Sequence, residues 1–302
     1  MKYFLSLLLT LSLVAPCAAQ FPTGWGRRVA LTIDSAQVVG THTDLAIPIR
    51  REFIPDEVCS PTDANAAQSD GDDIRFSSNE DGSTQIAHEV VNFEHDSADG
   101  AGDANIELHV KAPSVTSGGD TTIYMWYKNA GASAQAIDST YGAENVWDAK
   151  HIGVWHLPED PNTDTMLDST SNDQDGTATG FATGQQQPHI LGSAVLMDNV
   201  DSNIDVTDNA TLDITTGLTL TAFVEATHLR PTNQPLIDKF FDNTDRAYYL
   251  WTNAGDVKIA LGTADGSGST TLNPTDHEIE KGQQALVATT WDGTTIRSHV
   301  GY

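Results

Sequence analysis

The stretch LTLTAFVEA, Leu218 to Ala226, changes character at nearly every second residue, and the same period of two returns along the chain. NIELHV (Asn105 to Val110), TIYMWYK (Thr122 to Lys128) and DVKIALG (Asp256 to Gly262) repeat it. Successive side chains of a strand point to opposite faces, so each segment has one face to bury and one to leave in water. The segments are rich in β-branched and aromatic residues and are separated by Gly, Asp, Asn and Ser turns. Only YGAENVWDAK, Tyr141 to Lys150, has the look of a short helix. Antiparallel sheets of this kind must stack to cover their apolar faces. The expected class is therefore all-β, and 302 residues leave room for two β-sandwich or jelly-roll domains.

Placing those domains requires the two ends and the linker. MKYFLSLLLTLSLVAPCAAQ has a basic start at Lys2, an apolar run from Tyr3 to Val14 and small residues before a cleavage point after Ala19. This is the pattern of a secretory leader over residues 1–19, too short to remain as a membrane-spanning helix. Cys17 in LVAPC loosely resembles a lipid-attachment box, with Pro16 where a small residue belongs, so a lipid anchor is the minor alternative to simple cleavage. The small-residue run NAGASAQAIDST reads as a linker. The expected layout is a β-sandwich over 21–130, a linker with a short helix over 131–150, and a jelly roll over 151–302.

Charge narrows the partners. The chain has 42 acidic and 15 basic residues, a net charge of −27, and loss of Lys2 with the leader makes it −28. Phosphate backbones are bound by Lys and Arg clusters, which are missing, so nucleic acid is excluded as a partner. Beyond Cys17 the sole cysteine is Cys59, so a chain cleaved after Ala19 has no internal disulfide. A secreted or periplasmic protein without a transmembrane helix in its mature form is the expectation.

Three blocks, WGRRVALTID, DGDDIRFSS and TTIYMWYKN, carry a resemblance over residues 25–128 to a domain of unknown function found in secreted bacterial proteins. The blocks GVWHL, MLDSTSNDQDGTATG, LGSAVLMD, ATLDITTGLTLTAFV, PLIDK and ATTWDGTTIRSHVG resemble a laminin-G-like, concanavalin-A-like jelly roll over 152–302. Phe223 stands where that family usually has Trp, Gln284 replaces another expected Trp, and Trp291 takes a position that is usually Tyr. These swaps imply a divergent core. The closing SHVGY matches a family hairpin after which one or two strands normally follow. The resemblance therefore implies that the chain ends inside its second domain, either because the protein continues beyond residue 302, the favoured expectation, or because a partner supplies the missing strands at an open sheet edge.

Chemistry-bearing patterns are sparse. The E-x-D-x-x-E strand of sandwich-type glycosidases is absent, although Glu278 and Glu280 in EIEK share one face. HEVVN begins like a zinc-protease motif, but Asn92 stands where the second His is needed, which makes His88 an ordinary strand residue. The loop MLDSTSNDQDG gathers Asp168, Asn172, Asp173 and Asp175, with Asp198 and Asp201 following a later strand. Oxygen-rich loops suit calcium, and the jelly-roll resemblance implies a calcium at one end of the sandwich, with Asp168, Asn172, Asp175 and Asp198 as candidate ligands. The same residue types are also simply what turns are made of. In AYYLW, Tyr248 and Tyr249 occupy opposite faces of one strand, so one of them points away from the core and is available to stack on a sugar ring.

The expected function is that of a non-catalytic binding protein recognising a glycan or a cell-surface protein. The alternatives are a structural component of the bacterial cell envelope, a scaffold role that the N-terminal resemblance suggests, and a divergent glycosidase using Glu278 or Glu280.

Overall fold

The computed structural model describes residues 9–11, 23–98, 100, 102–198, 200–214, 216–240, 246–262, 269–272 and 278–301. The expected leader, Cys17 included, lies outside them apart from Leu9–Leu11. The fold is all-β and built from antiparallel sheets, as the alternation predicts. Among the described residues, no helix is long and apolar enough to cross a membrane.

The chain divides into two compact units, Met1–Thr207 and Asp208–Tyr302. The first contains β1 (Leu9–Leu11), β2 (Arg27–Ile33), β3 (Thr41–Arg50), β4 (Arg75–Ser77), β5 (Gln85–Ile86), β6 (His88–Asn92), β7 (Glu107–Thr116) and β8 (Thr121–Tyr127). One sheet runs β1-β2-β8-β4-β5 and the other β3-β7-β6. Val29, Leu31 and Ile33 of β2 and Ile123 and Met125 of β8 share a core with Ile47 and Ile49 of β3 and Leu108, Val110 and Ala112 of β7. Each fully buried aliphatic side chain of this kind contributes about 1.5–3 kcal/mol. Parity then decides what the other face of β7 presents: with Leu108 and Val110 inward, Glu107 and His109 face outward.

That outward face is not left to solvent, since Glu107 is 2% exposed and His109 5%. Side chains from beyond residue 140 cover it, including Trp147, His156 and Ser169. Asn105 Nδ2 also donates to Ser193 Oγ at 3.1 Å. These ties group residues 151–207 with the N-terminal sandwich, whereas the sequence suggests a division at 131–150. The covering segment carries β9 (Thr165–Met166), β10 (Gly176–Thr179), β11 (Gln186–Pro188), β12 (Ser193–Val195) and β13 (Asn203–Val206) in two small sheets, β13-β10-β9 and β11-β12.

The helix expected over Tyr141–Lys150 is reduced to a single 3-10 turn, Ala143–Asn145. Its polar side chains satisfy backbone groups outside a helix. Asn145 Nδ2 donates to Ser139 O at 2.9 Å, and Asp148 Oδ1 accepts from Lys150 N at 2.9 Å.

The second unit contains β14 (Leu218–Glu225), β15 (Gln234–Phe240), β16 (Arg246–Asn253), β17 (Asp256–Gly262), β18 (Ser269–Leu272), β19 (Gln284–Trp291) and β20 (Ile296–Gly301). Its sheets are β14-β19-β20 and β15-β16-β17-β18. Leu220 and Val287 of the first pack with Tyr248, Leu250, Val257, Ile259 and Leu261 of the second. The WDG signal is a hairpin turn: Trp291 pairs with Ile296, and Gly293 takes φ 91°, a conformation that a side chain disfavours. Phe223 is not a divergent core residue. It is 47% exposed, because Leu220 is turned inward and Phe223, an odd number of residues away, falls on the opposite face.

Candidate functional site

Two features of the second unit bear on ligand binding. On β16 the core takes Tyr248 and Leu250, so Tyr249 and Trp251 lie together on the other face of the sheet. Their rings stack with centroids 4.4 Å apart and planes 14° from parallel. In register, Tyr249 faces Asp238 of β15 and Ala260 of β17, while Trp251 faces Lys258 of β17. Directly paired strand residues share a face, so an acid and an ammonium flank the aromatic pair. Tyr249 is half-buried and Trp251 is 7% exposed, which makes Trp251 the backing and Tyr249 the accessible ring. Burial, with Asp238 nearby, raises the Tyr249 phenol above its ordinary range, so it stays protonated and able to donate. Tyr248, the other candidate, is turned away from any ligand on that face, because its ring is part of the core.

Glu278 and Glu280 also share a face, both exposed, with Ile279 between them turned into the core. They lack an intervening carboxylate on that face.

The acidic loop of the first unit is organised by its own backbone. Asp168 is 8% exposed, and its Oδ1 accepts from Val154 N at 2.8 Å and Thr170 N at 3.0 Å. Its Oδ2 accepts from Thr170 Oγ1 at 2.8 Å and Gln174 N at 3.0 Å. Asp175 Oδ1 accepts from Asp168 N at 2.9 Å, and Asn172 Nδ2 donates to Ile152 O at 3.0 Å. Asp198 caps a separate turn, taking Val200 N at 2.8 Å and Ser202 Oγ at 2.7 Å on Oδ1. Those hydrogen bonds hold the Asp198 carboxyl below its ordinary pKa range. Asp168, Asn172, Asp175 and Asp198 thus each satisfy local loop groups.

A third cluster has no counterpart in the expected sites. Glu89 of β6 and His109 of β7 are cross-strand partners, and Glu107 stands two residues before His109 on the same face. His109 Nε2 meets Glu107 Oε1 at 2.8 Å. His156, from the covering segment, places Nδ1 2.7 Å from Glu107 Oε1 and Nε2 3.3 Å from Glu89 Oε2. Glu89 is held further by Trp147 Nε1–H at 2.9 Å and by the Ser169 hydroxyl. The Trp147 ring lies 5.2 Å from that of His109 and 5.6 Å from that of His156.

The electrostatics follow from this geometry. Burial works against a charged His156, but its hydrogen bonds to Glu107 and Glu89 outweigh burial and push it up to about 9. For His109, burial prevails over the Glu107 contact and lowers its pKa. Burial raises both carboxyls, but hydrogen bonds from the imidazoles more than offset it, and both end below the ordinary range. The signal for this cluster was the E-x-H spacing in NIELHV, which puts Glu107 and His109 on one strand face. Glu89 and His156 could not be joined to it without the fold.

Comparison with protein-family models, curated proteins and solved structures finds no match to the chain.

Proposed function

We propose that the protein is a non-catalytic binding protein whose second unit recognises carbohydrate through the sheet face bearing Tyr249 and Trp251. The observation that carries this reading is the stacked ring pair on the face opposite the core. The C–H face of a pyranose packs on an aromatic ring, while its hydroxyls need hydrogen-bonding groups close by. Tyr249 offers the ring, and the paired positions Asp238 and Lys258 offer an acceptor and a donor. Trp251 beneath Tyr249 keeps that ring in one orientation, which lowers the entropy lost on binding. The laminin-G-like sequence blocks support the same reading, and the leader-like N-terminus supports export to where glycans are met.

The test is a panel of polysaccharides and soluble oligosaccharides offered to the full mature chain, with calcium and with chelator. The reading expects saturable binding to at least one glycan. Binding to none, by a chain that melts cooperatively, would overturn it and favour the envelope-component alternative.

A further inference from the structure

The buried cluster in the first unit has the convergence of a metal centre, independently of any glycan site. Glu107 Oε1 lies 2.8 Å from His109 Nε2 and 2.7 Å from His156 Nδ1, and the three side chains bring one ligand atom each within 4.8 Å of the others. Two further observations point to a ligand. Glu107 is 2% exposed, and its second oxygen, Oε2, is buried with no hydrogen-bond partner among the described residues. An unmet buried polar group costs about 1–3 kcal/mol, and more when it is charged. The second observation is the environment of His156. The nitrogen that does not face Glu107 is turned to Glu89, itself fixed by Trp147 and Ser169. A carboxylate on the far nitrogen of an imidazole is the usual means of orienting a metal-bound histidine.

We propose that Glu107, His109 and His156 bind a divalent transition-metal ion of the zinc type, with Glu89 as the positioning residue for His156. Bonds from zinc to nitrogen and oxygen of about 2.0–2.2 Å put tetrahedral ligand atoms about 3.3 Å apart. The two carboxylate–imidazole contacts therefore need only lengthen by roughly half an ångström to admit the ion. Two imidazoles and one carboxylate suit zinc, cobalt or nickel, whereas calcium takes six to eight oxygens. Gly192 leaves the carboxylate its space, since a Cβ there would come within 2.0 Å of Glu107 Oε2. Three protein ligands leave a fourth position for Glu107 Oε2 or solvent.

Cobalt(II) chloride titrated into the chelator-treated full chain tests this, read by the visible absorption of four- or five-coordinate cobalt and by displacement with zinc chloride. One equivalent is expected to bind. His109→Gln and His156→Gln should each weaken binding at least tenfold, and Glu89→Gln should weaken it about 10–100-fold while leaving the cobalt spectrum in place. No cobalt or zinc binding by the wild-type chain, or unchanged affinity in both histidine variants, would overturn the proposal. Should the variants fail to fold, X-ray absorption at the zinc edge of the loaded wild-type chain decides. Two imidazole ligands support the site, and a shell without imidazole rejects it.

Discussion

Glu89 and His156 are 67 residues apart in sequence, yet the carboxylate of one lies 3.3 Å from the imidazole of the other. Glu89 belongs to a strand of the N-terminal sandwich, and His156 to the segment that covers it. The same carboxylate also takes the Trp147 indole N–H and the Ser169 hydroxyl. Three donors from the covering segment thus converge on one buried acid.

Glu89→Ala should therefore loosen the cover before it loosens the sandwich. Removing one partner of a buried ion pair costs about 3–5 kcal/mol, because the other is left uncompensated. Hydrogen exchange of the variant is expected to show lost protection over residues 147–170 with β2 and β8 still protected. Uniform loss across the first unit would show that the sandwich and its cover do not separate in this way.

His88 should make the first unit sensitive to acid. It is 1% exposed, and burial lowers its pKa to about 3, well below that of an unfolded histidine. The unfolded chain therefore takes up a proton between about pH 6.5 and pH 3 that the folded chain refuses. The stability from a neutral His88 is complete above pH 6.5 and falls by up to about 1.4 kcal/mol per pH unit below it. Urea midpoints measured across this range should fall less steeply in His88→Leu than in wild type; parallel curves would remove His88 as the cause.

Asp168 answers for the acidic loop. Its two oxygens accept four hydrogen bonds, three of them from backbone N–H groups, so Asp168→Ala should lower stability by about 2–3 kcal/mol. Thermal melts with calcium and with chelator separate the two roles of the loop. The same loss under both conditions assigns Asp168 to loop bracing, and a loss that needs calcium assigns it to the ion.

The strands were legible because one buried face imposes period two on the sequence, and DVKIALG is a strand over the same residues, Asp256–Gly262. The helix expected over Tyr141–Lys150 does not form beyond one 3-10 turn, and Asp148 Oδ1 holds the Lys150 N–H that a helix would have bonded to its own backbone. The choice between Tyr248 and Tyr249 was beyond the sequence, since alternation gives parity but not which parity meets the core. Nor did it show that residues 151–207 belong with the first unit, because side-chain contacts such as Glu89–His156, Glu89–Ser169 and Asn105–Ser193 span 67 to 88 residues. The Glu–His cluster was hidden for the same reason: only Glu107 and His109 are close in sequence, and its other members arrive from β6 and from the covering segment.

The central claim is that Tyr249 meets a sugar. Intrinsic tryptophan fluorescence, followed while the best-binding glycan is titrated into wild type and Tyr249→Ala, tests it most directly, because Trp251 lies 4.4 Å beneath the substituted ring. Loss of one stacking ring at about 1.5–3 kcal/mol should weaken binding at least tenfold with the melting temperature little changed. Equal affinity in the two proteins would place the glycan elsewhere and contradict the account.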